Sequence, residues 1–248
     1  MVIDEARLRR IVSEGGSRSI PVAPGDIITP AARDYLREHG FTTVCAEDKR
    51  PEMPRTAIPA AGSRRYVDSD GRAYAEKPEH MTHLRGNLLV GKNHPRIAFR
   101  GKLDSLQARI IEAQLTARDE GRQALSDDLG EVLAFARELL GSEVKDEAFA
   151  RETLFGLDEK TIRAMSHDPR RHFGIGHPVP DADMGKCAAA LNTVRTLARE
   201  AELAGIAAFV GDNGATSRPD LLRALNRLSS GVYILLCRLL GGAYTRGA

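Results

Sequence analysis

The residues best placed to do chemistry lie in the stretch LNTVRTLAREAELAG, residues 191 to 205. Arg195, Arg199 and Glu202 recur at i, i+4 and i+7, so on a helix all three side chains leave one face. Two guanidiniums and one carboxylate at that spacing outline a phosphate clamp. Leu191, Val194, Leu197, Ala198 and Ala201 take much of the remaining circumference, leaving little of this helix for plain solvent. The plainer alternative is a solvated face with an Arg199–Glu202 ion pair, worth about 0.3 kcal/mol.

Other polar residues sit where a core would be apolar. Asp104 lies among Leu103, Leu106 and Ala108, and Asn226, Arg227 and Ser230 lie within RALNRLSSGVYILL. A buried arginine needs a partner, since removing one side of such a pair costs about 3–5 kcal/mol. Asp104 is the carboxylate suited to hold Arg195 or Arg199 across a helix interface. The segment MTHLRGNLLVGKNHPR reads as a loop that offers Lys92, Asn93, His94 and Arg96. It is donor-rich and suited to phosphates, although it lacks the GxxxxGKT spacing of a P-loop. No cysteine or acidic cluster completes a tetrahedral site around His80, His83, His167, His172 or His177. Surface or loop-packing roles are expected for these, with His177 the one to watch.

These residues need elements to position them. A helix over residues 2 to 14, a strand at SIPVAP, a helix opened by Thr29 and Pro30 and stopped at Gly40, and a strand at FTTVCA make a small α+β module over 1–46. Residues 47–78 read as a Pro/Gly/Arg-rich linker with one hairpin at VDSDGRAY. From 79 to 248 long amphipathic helices take over. The first spans 95 to 118 with Leu103, Leu106, Ile110 and Leu115 inward, and the second starts at Ser126 and Asp127 and runs to 140. Shorter pieces follow at 144–154 and 158–166, then the Arg195 helix at 183–210 and a last helix from Ser217 to Leu240. The expected fold is mainly α, a five-helix up-and-down bundle preceded by the α+β module.

Across 248 residues, 36 Lys and Arg balance 34 Asp and Glu, so no overall field draws the chain to nucleic acid or membrane. Any anion site must be local. Cys45, Cys187 and Cys237 are too few and scattered for a disulfide framework or a CxxC metal site, which points to a reducing cytoplasm. MVIDEARLRRIVSEGG lacks the apolar stretch of a secretory signal, and no 18-residue apolar run occurs. A soluble cytoplasmic protein is expected.

Read together, three ordered segments resemble the corrinoid adenosyltransferases: HPRIAFRGKLDSLQA (94–108), VRTLAREAE (194–202) and RPDLLRALNRLSSGVY (218–233). GDIITPAARDYLREHG, KPEHMTHL and GLDEKTIRAMSHDPRRH are similar to the ethanolamine-utilisation branch, so the resemblance covers nearly the whole chain. It implies transfer of the 5′-deoxyadenosyl group of Mg²⁺-ATP to Co(I) cobalamin, giving adenosylcobalamin for a cobalamin-dependent lyase. Asp104 and Arg195 would then form an interhelical salt bridge at the active site, Arg199, Glu202 and Asn226 would handle ATP, and Lys92 and Arg96 would lie near its phosphates. Phe173, Ile175 or Val179 would line an apolar pocket that excludes the lower axial ligand of cobalt.

The same resemblance implies a homo-oligomer, a trimer, with sites between subunits, and a place in or beside a bacterial microcompartment and its shell. Many members of the branch hold iron or zinc on a His and Cys cluster, but residues 51–80 contain no cysteine, so no such metal is expected. Glu200 stands where the superfamily often has a second arginine, and Ser230 where it often has an acid. The competing reading is a non-catalytic corrinoid carrier or a microcompartment scaffold; the presence of Asp104, Arg195, Arg199, Glu202 and Asn226 favours the enzyme.

Overall fold

Proline at its first position and a threonine before it start α1 (Pro30–Glu38) in the computed structural model, which describes residues 2–3, 19–22, 27–45 and 66–245. The Thr29 hydroxyl accepts from the Ala32 N–H at 3.3 Å, and Gly40, at φ 67°, ends the helix. Ala32 and Leu36 are buried beside Ile28, Tyr35 and Phe41. This helix belongs to the first of two units, Met1–Pro59. Of its strands β1 (Val2–Ile3), β2 (Ser19–Val22), β3 (Ile27–Ile28) and β4 (Thr42–Cys45), β1 pairs in parallel with β3 and β2 with β4. Val2 and Ile3, expected to begin a helix, are therefore strand, as β-branched residues beside a second apolar pair prefer. The rest of that expected helix, and residues 47–65 of the expected linker, lie outside the described residues.

The second unit, Ala60–Ala248, opens with β5 (Tyr66–Asp68), β6 (Ala73–Tyr74), β7 (Met81–Arg85) and β8 (Leu88–Gly91), in sheet order β6-β5-β8-β7. The hairpin expected at VDSDGRAY is β5–β6. Asp68 holds its turn, accepting from the Asp70 and Arg72 N–H groups at 3.0 and 2.9 Å and from the Tyr74 hydroxyl at 2.8 Å. The donor-rich segment read as a loop is instead the hairpin β7–β8, with Met81, Leu84, Leu89 and Val90 buried. Its short apolar alternation is real, but the Gly, Asn and Pro around it mask the period.

Six helices follow: α2 (Pro95–Asp119), α3 (Gln123–Lys145), α4 (Glu159–His167), α5 (Pro169–Phe173), α6 (Gly185–Phe209) and α7 (Pro219–Leu240). α2 packs on α3 and α6, and α7 on α3 and α6, which closes a four-helix bundle; α4 lies against α7 as a shorter fifth helix. Phe99, Leu103, Leu106, Ile110 and Ala113 recur at three- and four-residue steps and are buried, facing Leu129, Val132 and Leu139 of α3 and Leu191, Val194 and Ala198 of α6. Each buried leucine is worth about 1.5–3 kcal/mol. Leu115, expected in this stripe, is 52% exposed because it falls off the α2 period.

Three expected boundaries move. α3 begins at Gln123 because Gly121, at φ 68°, ends α2 abruptly, and Ser126 is a buried acceptor for the Arg118 Nε at 3.0 Å instead of a cap. Residues 147–157 form no helix; Leu154 and Leu157 make a β-bridge, and Leu154 lies on α7 at Gly231. A Cβ at Gly231 would meet the Leu154 Cδ2 at 2.5 Å, so this close approach needs glycine. α7 takes Arg218, not Ser217, as N-cap, with Pro219 and Asp220 in the first turn as expected. Among the described residues no helix is long and apolar enough to cross a membrane.

Candidate active site

On α6, Val194, Ala198 and Ala201 face the core, and Arg195 and Arg199 leave the helix on the flank beside them, half-buried and exposed respectively. Asn192, one turn before, accepts from the Arg195 Nε and Nη2 at 3.2 and 2.9 Å and so orients its guanidinium. The Arg199–Glu202 ion pair of the plainer alternative is not formed. Neither residue has a salt bridge among the described residues, and Arg195 has none either. Two arginines one turn apart with no carboxylate between them favour an anion.

The two arginines line a cavity of about 350 Å³ with Ser229, Ser230 and Tyr233 of α7 and His177 from the segment after α5. The Tyr233 hydroxyl is 2.8 Å from the His177 Nδ1, which pins that segment to α7. Burial, and then the neighbouring Cys237 thiol, push Tyr233 up to about 12 against the pull of Arg195. Burial also pushes Cys237 up to about 11. Tyr233 is thus a neutral hydrogen-bonding group at working pH, and Cys237 is no nucleophile. The cavity offers guanidiniums, hydroxyls and one imidazole, which can bind an anion and stabilise charge developing on it. It holds no thiolate or activated hydroxyl, so a nucleophile must come with a substrate.

The remaining expected residues divide. The antiparallel packing of α6 and α7 brings Glu202 level with Asn226, but their side chains make no hydrogen bond to each other, and Asn226 is exposed. Asp104 is exposed on α2. The register that puts the Lys102 Nζ 2.8 Å from Glu200 brings Asp104 level with Arg199, yet the expected Asp104–Arg195 bridge is not made within this chain. Lys102 and Glu200 form a half-exposed ion pair at the edge of the apolar α2–α6 interface, while Asp104 faces outward. Lys92 is not at this cavity either: it pairs with Glu79 at 3.1 Å on the surface.

Arg96 is committed elsewhere. Its Nε and the Arg100 Nε each donate to the fully buried carboxylate of Glu143 at 2.5 Å, and its Nη2 donates to the Glu143 carbonyl at 3.0 Å. A buried carboxylate must be paired, and Arg96 meets that requirement away from the arginine cavity. Phe173 packs against the end of α7 at Gly241, Ile175 is half-buried, and Val179 is 78% exposed. Sequence reasoning passed over Tyr233 and Ser229, whose signal was their place three and seven residues beyond Asn226 on one helix. It also passed over Glu143, an acid continuing the Val132, Ala136, Leu139 stripe.

A family model described as cobalamin adenosyltransferase matches residues 73–239, from the first hairpin to the end of α7. The corrinoid adenosyltransferase EutT of Salmonella typhimurium is 29% identical over 242 residues, covering 93% of this chain and 88% of that protein. EutT of Escherichia coli is 30% identical over 248 residues, covering 94% and 90%. The corrinoid adenosyltransferase PduO of Salmonella typhimurium is 32% identical over 155 residues, covering 59% of this chain and 43% of that protein. A helical bundle with two arginines in one cavity agrees with these matches: the chain belongs to the cobalamin adenosyltransferase family.

Proposed function

We infer that this chain transfers the 5′-deoxyadenosyl group of ATP to Co(I) cobalamin and makes adenosylcobalamin. The observation that carries the reading is the pair Arg195 and Arg199, in no salt bridge among the described residues, in one cavity with Tyr233 and Ser230. The reduced cobalt attacks the 5′ carbon of ATP, the bond from that carbon to the phosphate oxygen breaks, and the polyphosphate leaves. Cobalt is the nucleophile, so the protein's task is to position the reacting carbon and to stabilise charge on the leaving group. Arg195, held by Asn192, supplies fixed donors for that charge, and Arg199 supplies a mobile one. Glu202 and Asn226, level with each other, are suited to the rest of the nucleotide. A Mg²⁺ that travels on the polyphosphate and keeps most of its water fits a site with one uncommitted carboxylate, Glu202, better than a protein-caged ion would.

The corrin ring is larger than the cavity of about 350 Å³, and we assign the rest of its wall to a second subunit. Asp104, exposed and level with Arg199, is the carboxylate we assign to Arg195 across a subunit boundary in a homo-oligomer, a trimer by family resemblance. The similarity to EutT supports service to a cobalamin-dependent lyase of ethanolamine utilisation, in or beside a microcompartment. The test is a visible spectrum of the protein with Mg²⁺-ATP and chemically reduced cobalamin, followed by a light pulse. A photolabile alkylcobalamin is expected in the wild type and a greatly slowed reaction in Arg195→Ala. Corrinoid binding with no alkylcobalamin would instead identify a carrier.

A further inference from the structure

The segment 147–158, α4 and α7 enclose a second cavity, of about 750 Å³. Arg151, Lys160, Arg163, Arg223 and Arg227 line it. Several of its charges are already committed. Asp220 is held by the Arg218 guanidinium at 2.8 and 3.0 Å and by the Phe149 N–H at 2.9 Å. Asp158 caps α4, accepting from the Thr161 N–H at 2.8 Å. Arg151 is bound to Glu131 and Glu138 at 2.9 and 3.0 Å. Four cations then face three carboxylates, Glu152, Asp158 and Glu159, because the hydrogen bond from a neutral N–H leaves the Asp158 charge in place. Lys160 and Arg163 are exposed and make no salt bridge among the described residues. Glu159 lies 4.0 Å from Arg223 and 3.5 Å from Arg227, and hydrogen-bonds to neither.

Arg227 is the built part of this site. Its side chain is 8% exposed, its Nη1 donates to the Arg151 carbonyl at 3.0 Å, and its Nε is buried with no hydrogen-bond partner. An N–H buried without a partner is unfavourable, and an anionic oxygen would satisfy it. The cavity also adjoins the first one. Arg163 is three residues before Ser166 on α4 and Arg227 three before Ser230 on α7, and both serines line the arginine cavity. That separation is about 4.5 Å along a helix axis.

We propose that this second cavity is an anion subsite that takes a phosphate group in place of the loose Glu159 contact, one helical turn from the arginine cavity. Two sources share that chemistry: inorganic polyphosphate, and the phosphodiester in the nucleotide tail of the corrinoid. Assignment to the second source rests on the proposed reaction, whereas anion binding itself does not. Calorimetric titration of the full chain with inorganic tripolyphosphate, and KM values for cobalamin and for tail-less cobinamide, test it. The variants are Lys160→Ala/Arg163→Ala and Glu159→Gln, all at exposed positions, with thermal melts as the folding control.

If the ligand is polyphosphate, the double variant weakens tripolyphosphate binding at least fivefold, Glu159→Gln strengthens it, and both KM values stay unchanged. If it is the phosphodiester, the double variant raises KM for cobalamin at least fivefold and leaves cobinamide alone. Unchanged tripolyphosphate affinity together with unchanged KM values would overturn the proposal. So would ATP affinity that falls in step with tripolyphosphate affinity, because the cavity would then be part of the nucleotide site. Absence of adenosyl transfer in the wild type would remove the proposed function and leave the calorimetric result standing.

Discussion

Arg195 and Arg199 are one turn apart but are held differently, and their variants should differ accordingly. Arg195 is fixed by Asn192 through two hydrogen bonds, whereas Arg199 is exposed. Arg195→Ala is expected to lower kcat by about 10²–10³-fold, the cost of losing a preorganised donor to developing charge. Arg195→Lys should recover only part of this, because an ammonium cannot reproduce the forked geometry. Single-turnover rates with reduced cobalamin check both. Asp220 gives a residue-scale pH prediction. Burial alone would raise its pKa, but the Arg218 hydrogen bonds and the Phe149 N–H hold it at about 2, below the ordinary 3.8. Its folded pKa is depressed, so its stabilisation is complete above pH 3.8 and is lost as pH falls towards about 2. Urea midpoints of Asp220→Asn should lie below wild type at neutral pH and converge with it across that window.

At the scale of elements, Glu143 joins the start of α2 to the end of α3. Arg100 extends the join to β7, donating to the carbonyls of His83 and Leu84 at 3.2 and 2.7 Å. Glu143→Gln leaves the largely buried Arg100 without a carboxylate and Arg96 with only its 3.8 Å contact to Asp146, so a loss of about 3–5 kcal/mol is expected in chemical denaturation. α7 depends on a different device. Gly231→Ala would place a methyl against Leu154, and the overpacking should cost about 1–3 kcal/mol, read as a lower melting temperature. Neither change touches the arginine cavity, so the residual folded protein should retain its affinity for ATP.

At the scale of the whole molecule, every candidate residue from Lys92 to Asn226 lies in the second unit. A fragment of residues 60–248 is therefore expected to fold and to keep adenosyl transfer within a few-fold, whereas one starting at residue 79 loses β5 and β6 from their sheet and should melt lower. If Asp104 and Arg195 meet across subunits, mixing inactive Asp104→Ala and Arg195→Ala chains should restore some activity, because a mixed oligomer then contains intact sites. The sequence by itself determined what depends on short-range periodicity: the Arg195, Arg199, Glu202 face, the apolar stripe of α2, the cap at Thr29 and the helical character of the bundle. These are local because neighbours three and four residues apart share a helix face whatever surrounds them. The β7–β8 hairpin was less legible, since five- and four-residue strands carry too little period to stand out among turn residues. Only the tertiary structure decided which charges are free. Arg96 meets the buried Glu143 across 47 positions, so packing engages it, whereas Lys92 meets Glu79 across 13 only on the exposed surface. Arg199, in no ion pair among the described residues, stands in one cavity with Arg195 because the packing of α6 on α7 brings both beside Ser229, Ser230 and Tyr233.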